Sequence, residues 1–518
     1  MRGILGAGTN RLNIYVIQKA NVGFAKYIAS LPEGKERGVA IGYDNRNMSY
    51  QFAIESAKVL ATYGIKSFIF EALRPTPELS FAVRYLKCAG GIMITASHNP
   101  KEYNGYKVYD DTGCQLLPEA ADQVVKYVNE VEDELNIKVL SDEEAYPYMT
   151  WIGEEVDAAY YEAVKGIEVN PGMDKDDFKI VFSPQHGTAN IPVRTVLKDL
   201  GYDVVPVLAQ CAPDPNYTNT KSPNPEVDVA YELEIKKAKE VDADVVVITD
   251  PDGDRLGVVA KHDGEYVLMS GNQSAAVYLE YILSQMKEKG TLPSNAVMYN
   301  TIVTSDLGEL VARHYGVDVE KTLTGFKFIG DKIRKYEATK EKVFVFGYEE
   351  SYGCVIKDFV RDKDAVQAVL TAAEAGNYYK KQGKDLIDVL NELYARHGAF
   401  KESQIAISKA GAAGSARIKE IMSNLREDAP AQIGNVKVVA SEDYQASVRY
   451  EDGKESVIKL PKSNVLKYYL EDGSWIAARP SGTEPKIKFY FSIKGATVDE
   501  AAAKTEVFQK DMMNIVGE

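Results

Sequence analysis

Cysteine is scarce in this 518-residue chain: Cys88, Cys114, Cys211 and Cys354 are scattered, and no C-x-x-C pair occurs. That usage argues against a disulfide framework or a structural zinc site and reads as reduced thiols in a cytoplasmic protein. No apolar run is long enough to span a bilayer. The opening Met1-Arg2-Gly3-Ile4 is not a signal peptide. Positive charge is in deficit, with 61 Lys and Arg against 76 Asp and Glu and a net charge of −15, a balance that the nucleic-acid backbone would repel. A small phosphorylated ligand remains compatible, because it needs only a few local basic groups and backbone amides. G-x-S-x-G, Walker A and G-x-G-x-x-G patterns are absent, which weakens hydrolase, NTPase and dinucleotide readings. Short-period repeats and low-complexity tracts are missing as well.

What is present is an alternation of short β-branched apolar runs with amphipathic helical stretches, the pattern of α/β domains with mainly parallel strands. The length suggests about two to four domains. Residues 12–30 read as a helix, Gly38–Tyr43 and Lys66–Phe70 as strands, and Tyr50–Tyr63 as a helix between them. Further strands are expected at Gly91–Ile94, Phe178–Phe182, Val204–Val207, Val245–Ile248, Ala296–Tyr299 and Val343–Phe346. The Pro- and Asn-rich segment Ala212–Pro225 reads as an irregular loop. After a helix at Ala365–Lys381 the pattern becomes α+β. It has a helix at Ser415–Leu425, strands near Val436–Val439 and Val457–Leu460, a hairpin over Trp475–Ser492, and a closing helix from Val498. The expected domains are 1–155, 156–263, 264–398 and 399–518.

Four apolar strands run directly into polar loops, and open α/β sheets bind ligands at the carboxyl ends of their strands. In Asp250-Pro-Asp-Gly-Asp-Arg255 three carboxylates alternate, and an extended chain would point them the same way. All-oxygen ligands favour Mg²⁺ or Ca²⁺. An EF-hand is excluded, because its sixth position is Arg255 and its twelfth Lys261. A solvated acidic turn is the plain alternative; the preceding apolar run and the closing Arg255 favour a metal site. In Thr95-Ala-Ser-His-Asn-Pro100 the small Ala96 and the Pro100 stop fit a tight loop exposing Ser97. Alone, Ser-His-Asn is an ordinary capping sequence. A phosphate on Ser97 would complete the aspartate–metal site, with His98 in reach of it. Gly347-Tyr-Glu-Glu-Ser351 offers acceptors for sugar hydroxyls. Arg479-Pro-Ser-Gly-Thr483 offers a guanidinium, two hydroxyls and a Gly-freed backbone for a terminal phosphate. Lys107 and Lys327 are candidates for proton transfer or substrate binding, and a base would need its pKa depressed.

In this order, Thr95–Pro100, Asp250–Arg255, Gly347–Ser351 and Arg479–Thr483 resemble the α-D-phosphohexomutase superfamily over essentially the whole chain. Gly6–Asn13 and Arg361-Asp-Lys-Asp364 look most like the bacterial phosphoglucomutase branch, related to phosphopentomutases. The resemblance implies three similar α/β domains with mixed sheets and a C-terminal α+β domain around one central cleft. It implies an isomerase that interconverts glucose 1-phosphate and glucose 6-phosphate through phospho-Ser97, with a sugar 1,6-bisphosphate as intermediate and activator. By the same resemblance Ser97, Asp250, Asp252 and Asp254 bind Mg²⁺, while Arg255, Lys107 and His98 serve catalysis. Arg2, Thr324, Lys327, Glu349, Ser351 and Lys363 would hold substrate, and Arg479, Ser481, Gly482 and Thr483 its second phosphate. Mannose or pentose phosphates are alternative substrates, and a non-catalytic sugar-phosphate sensor is a more distant reading. A monomer or homodimer is expected, with neither nucleic acid nor membrane as partner. The family begins with a strand and helix ending in a Gly-Thr-Gly-Gly-Met-Arg-Gly-like motif. Met1-Arg2-Gly3 falls inside it, so the first domain is expected to be N-terminally incomplete, with Arg2 on a frayed terminus.

Overall fold

The structure is a computed structural model that describes residues 1–409, 411–481 and 485–518. Two compact units divide the chain. One comprises Met1–Asn300, Tyr315–Glu320 and Gly325–Val389; the other comprises Thr301–His314, Lys321–Thr324 and Leu390–Glu518.

The first sheet contains β1 (Arg2–Ile4), β2 (Val39–Tyr43), β3 (Ser67–Phe70), β4 (Gly90–Ile94), β5 (Tyr103–Asp110) and β6 (Met149–Ile152), in the order β1-β5-β4-β2-β3-β6. Its centre is parallel, with β2 paired to both β3 and β4. Strands buried on both faces explain the continuous apolar runs. The expected helix at the start is Ile14–Ser30, capped by Asn13, whose side chain accepts from Val16 N. Its Ile17, Phe24 and Ile28 pack with Ile41, Ile69 and Ile92 in one core. The second sheet holds β7 (Lys179–Ser183), β8 (Asp203–Pro206), β9 (Val245–Thr249), β10 (Leu256–His262) and β11 (Glu265–Met269), ordered β11-β10-β9-β7-β8. The third is β12 (Ala296–Thr301), β13 (Asp318–Thr322), β14 (Val343–Glu349) and β15 (Gly353–Val355), ordered β13-β12-β14-β15.

The C-terminal sheet comprises β16 (Ala399–Ser408), β17 (Gln432–Ile433), β18 (Val436–Asp443), β19 (Val448–Glu451), β20 (Lys454–Val457), β21 (Leu466–Leu470), β22 (Trp475–Pro480) and β23 (Lys486–Gly495). Ile418 and Met422 of the helix Gly411–Glu427 and Phe508 and Met512 of Val498–Val516 pack with its Ile476, Phe489 and Phe491. The fold is therefore α/β with mixed sheets and an α+β end. One expected strand is displaced: Val457 closes β20, and Ile458–Leu460 lie beyond it. The apolar residues of Val457–Leu460 suggested a strand, but β20 forms from the polar residues before them by pairing with β19. No helix among the described residues is long and apolar enough to cross a membrane. All four cysteines are buried and free.

The three loops of the first unit singled out in the sequence join antiparallel neighbours attached to these sheets. β4 turns back into β5 with Ile94 opposite Tyr106, β9 into β10 with Thr249 opposite Leu256, and β14 into β15 with Glu349 opposite Gly353. Such tight reversals call for residues at positive φ. Ser97, Gly253 and Tyr352 supply them at 53°, 67° and 66°.

Candidate active site

Ser97 lies in the β4–β5 connection, and its backbone N–H donates to Thr95 Oγ1 at 2.8 Å. Contrary to the expected exposed hydroxyl, Ser97 is 1% exposed. Its Oγ donates to Asp250 Oδ2 at 2.7 Å, so the aspartate loop covers it. His98 Nδ1 lies 3.3 Å from the same Oγ. Burial, with Arg255 and Arg2 nearby, pushes the His98 imidazole down to about 2, so it is neutral.

The aspartates converge by a different route from the one the sequence suggested. The segment is a turn, closed by Gly253 at φ 67°, and not an extended strand. Asp250 Oδ1 accepts from the N–H groups of Asp254 and Arg255, each at 3.0 Å, which curls the chain around its first carboxylate. Asp250, Asp252 and Asp254 are buried, and one oxygen of each lies within 4.8 Å of the others. Burial and the two neighbouring carboxylates push Asp250 well above the usual range. Asp252 is also buried, yet Lys107 and hydrogen bonds hold it well below. Thr76 helps to place it, donating from Oγ1 to Asp252 Oδ2 at 2.9 Å and from N to Asp252 O at 2.8 Å.

The residues fit a divalent cation. The donor set is all oxygen, and Asp252 Oδ1 and Asp254 Oδ1 are buried with no hydrogen-bond partner among the described residues. Lys107 Nζ supplies positive charge here, 2.7 Å from Asp252 and 3.6 Å from Asp254. Burial alone would lower the Lys107 ammonium, but the two aspartates raise it. The depression that a resting base would need is thus absent from this arrangement.

Lys363 reaches the same cluster from the segment before the helix Ala365–Lys380, lying 3.2 Å from Asp254 and 4.0 Å from Glu349. Its stem crosses the space where a Cβ on Gly353 would stand, so that position needs glycine. Glu349 ends β14 and accepts from Gly325 N at 2.7 Å. Ser351 follows it, half-buried. Lys327 lies on the helix Phe326–Thr339 with its ammonium 5.4 Å from the Phe328 ring centroid, and burial lowers its pKa. Arg255 pairs with Glu226 and lies 3.8 Å from Asp254. Arg2 is exposed on β1 and donates to Asn99 Oδ1 at 3.2 Å; the strand is paired with β5, not frayed. A cavity of about 550 Å³ opens beside His98, lined also by Asn99, Lys101, Tyr217 and Lys221.

Among the candidates in the first unit, Ser97, His98, Lys107, the three aspartates, Arg255, Glu349 and Lys363 form one charged cluster. In the second unit, Thr324 follows β13 and has a buried Oγ1. There too, Arg479 closes on Tyr490 Oη at 3.5 Å, and Ser481 N donates to Lys486 O at 2.7 Å. Gly482 and Thr483 lie outside the described residues. Sequence reasoning missed Thr76, Glu226, Asp362 and Arg46. Asp362 accepts from Tyr109 Oη and Gln115 Nε2 and lies 3.6 Å from Lys363. Arg46 had a readable signal, since β2 also runs from apolar residues straight into charged ones.

Comparison with known proteins gives matches over most of the chain. Residues 1–135, 158–264 and 270–397 match phosphoglucomutase/phosphomannomutase alpha/beta/alpha domains I, II and III, and 422–507 match the C-terminal domain. A phosphoglucomutase of Staphylococcus epidermidis is 38% identical over 509 residues, covering 97% of this chain and 91% of that one. One from Staphylococcus aureus is 38% identical, with 97% and 90% covered. Among solved structures, a phosphoglucomutase/phosphomannomutase family protein from Burkholderia thailandensis superposes with a TM-score of 0.71 at 19% identity, covering 99% of this chain and 96% of that one. The exocytosis-sensitive phosphoprotein parafusin, a phosphoglucomutase from Paramecium, gives 0.70 at 19%, covering 100% and 95%. With every domain of the family matched in order and full-length relatives at this identity, the chain belongs to the phosphoglucomutase/phosphomannomutase family and is a phosphosugar mutase, an isomerase.

Proposed function

We propose that this mutase interconverts glucose 1-phosphate and glucose 6-phosphate, with Ser97 as the phosphoryl carrier. The observation that carries the reading is the 2.7 Å contact between the buried Ser97 hydroxyl and Asp250, beside two orphaned aspartate oxygens. The 38% identity to staphylococcal phosphoglucomutases supports glucose as the sugar. Asp250, Asp252 and Asp254, with an oxygen of the phosphorylated serine, would hold Mg²⁺. The bound ion would supply positive charge to offset that of the transferring group.

The chain's own residues do the rest. Phospho-Ser97 gives its phosphoryl group to the free hydroxyl of the sugar monophosphate, and the serine keeps the oxygen that carried it. The resulting 1,6-bisphosphate turns over and returns its other phosphoryl group to Ser97. Arg255 stabilises the charge on the group in flight. Lys107, charged beside Asp252, protonates the serine oxygen as it leaves and takes that proton back on the return step. The attacking sugar hydroxyl passes its proton to an oxygen of the incoming phosphoryl group, and the departing sugar oxygen regains one from it. His98 orients the phosphate by hydrogen bonding. Glu349, Ser351, Lys327, Lys363 and Thr324 hold the sugar. Arg2 binds substrate, and Arg479, Ser481, Gly482 and Thr483 hold the phosphate that does not react. The four domains divide these roles in chain order as serine, metal, sugar and phosphate domains. Buried free thiols support a cytoplasmic location.

The test is a coupled assay of glucose 6-phosphate formation stimulated by glucose 1,6-bisphosphate. Ser97→Ala is expected to abolish turnover and phosphate incorporation; retained turnover would remove the carrier role. Asp252→Ala should weaken Mg²⁺ dependence and turnover together. In a panel of glucose, mannose, glucosamine and ribose 1-phosphates, kcat/KM should be highest for glucose, and a higher value for another sugar would transfer the assignment to it.

A further inference from the structure

The Ser97 loop turns several of its carbonyls inward, and one side chain outside the loop satisfies them. Arg46, which follows β2, is 3% exposed. Its Nη1 donates to Pro100 O at 2.8 Å and to Tyr103 O at 3.0 Å. Its Nη2 donates to the carbonyls of Ser97 and Asn99. Buried carbonyls require donors, and a planar guanidinium can serve several from one rigid group where an ammonium cannot. The remaining nitrogen, Nε, pairs with Asp44 Oδ2 at 3.3 Å. Asp44 is itself fixed by Ser49 Oγ at 2.6 Å and by Arg46 N at 3.0 Å. The charge of Arg46 is thus paired with Asp44 and its Nη1 and Nη2 are occupied by backbone carbonyls, so it is not placed as a phosphate ligand.

The open face of the guanidinium is roofed. Tyr217 stacks over it with 5.4 Å between Cζ and the ring centroid. Tyr217 is buried and adopts φ 53° within the irregular Ala212–Pro225 loop. Asn45 Nδ2 ties that loop to the same place by donating to Asp214 O at 2.9 Å. The Pro- and Asn-rich segment therefore acquires a role that composition did not reveal. The residue under control is Ser97, which sits at a positive φ that serine rarely adopts and that its surroundings must enforce.

We propose that Arg46, roofed by Tyr217, is a positioning residue for phosphoryl transfer: it holds the Ser97 loop so that the serine oxygen faces Asp250 and the transferring group. This rests on the reading of Ser97 as the phosphoryl carrier. The loop carbonyls determine where Oγ points, so loss of the fork misdirects the hydroxyl while leaving sugar binding intact.

The experiment uses the full chain with glucose 1-phosphate, glucose 1,6-bisphosphate and Mg²⁺, and compares Arg46→Lys, Tyr217→Leu and Ser97→Ala with the parent. Arg46→Lys is expected to lower kcat by about 100-fold, the scale of an ångström-sized misplacement, with KM within about threefold of the parent. The ³¹P resonance of its phosphoserine should shift or broaden. Tyr217→Leu, which keeps the fork but removes its roof, should lower kcat by about tenfold with the same unchanged KM. A parent-like kcat in Arg46→Lys overturns the proposal, as does a rise in KM without a fall in kcat. Should Arg46→Lys fail to fold, Tyr217→Leu decides alone, and a parent-like kcat and ³¹P signal there overturn it. Phosphate incorporation into Ser97→Ala would instead overturn the carrier reading, so the two failures are distinct.

Discussion

Gly253 illustrates how much of the site depends on one backbone angle. It sits at φ 67°, and an added Cβ would stand 2.8 Å from Pro75 Cβ. No L side chain adopts that angle cheaply; the backbone strain alone is about 1–3 kcal/mol. Gly253→Ala is therefore expected to lower stability to urea by at least that range. It should also weaken Mg²⁺ binding measured calorimetrically, because the turn that brings Asp252 and Asp254 together would open. Unchanged Mg²⁺ affinity would mean that the turn does not set the aspartates. The Ser97 environment differs in kind. Nothing in Thr95–Pro100 announces that its serine is buried, because the cover comes from Asp250 and Arg46, both far away in sequence. The carboxylates of Asp250–Arg255 were legible as a group, since their neighbours along the chain are enough to suggest convergence. Thr76 and Asp362 were not, because only the fold brings Thr76 to Asp252 and sets Asp362 against Tyr109 and Gln115.

At the level of elements, single polar side chains join strands to helices. Glu320 on β13 accepts from Lys332 at 2.9 Å and Tyr336 Oη at 2.7 Å on the helix Phe326–Thr339, and from Lys342 beside β14 at 3.0 Å. Partial burial would raise its carboxyl, but these partners win and hold it at about 2, below the usual 4.5. A depressed carboxylate stabilises the fold above its unfolded pKa and loses that contribution as pH falls through the folded value. Glu320→Gln should thus cost about 1–2 kcal/mol at pH 7, discounted for solvent screening. The gap between variant and parent should close as the pH falls from about 4.5 to 2. Urea titrations at several pH values would measure it, and a gap independent of pH would exclude the ion pairs as its source. Apolar runs marked buried central strands such as β2, β4 and β9 to within a residue or two, but not β20. Its residues, Lys454–Val457, are exposed, and only pairing with β19 makes them a strand.

For the whole molecule, the division into two compact units bears on unfolding. A chain of this size is not expected to unfold in one step. Ser97 and the three aspartates all belong to the first unit. A ligand that binds only folded protein stabilises the part that holds its site. Saturating Mg²⁺ should therefore raise the calorimetric transition of the first unit and leave that of the second in place. Equal shifts in both would show that the two unfold together.

The sequence by itself determined the α/β class, the order of the loops and the residue types of the site, because each depends on local pattern: apolar runs, turn residues and charge spacing along the chain. Lys107 was also legible as a candidate, but its charge state was not. Tertiary structure alone decided that the functional strands turn back as antiparallel hairpins, that Ser97 is buried against Asp250, and that Arg46 and Tyr217 hold its loop. The physical reason is common to all of these: burial, and the donors and charges that answer it, come from segments far apart in the chain.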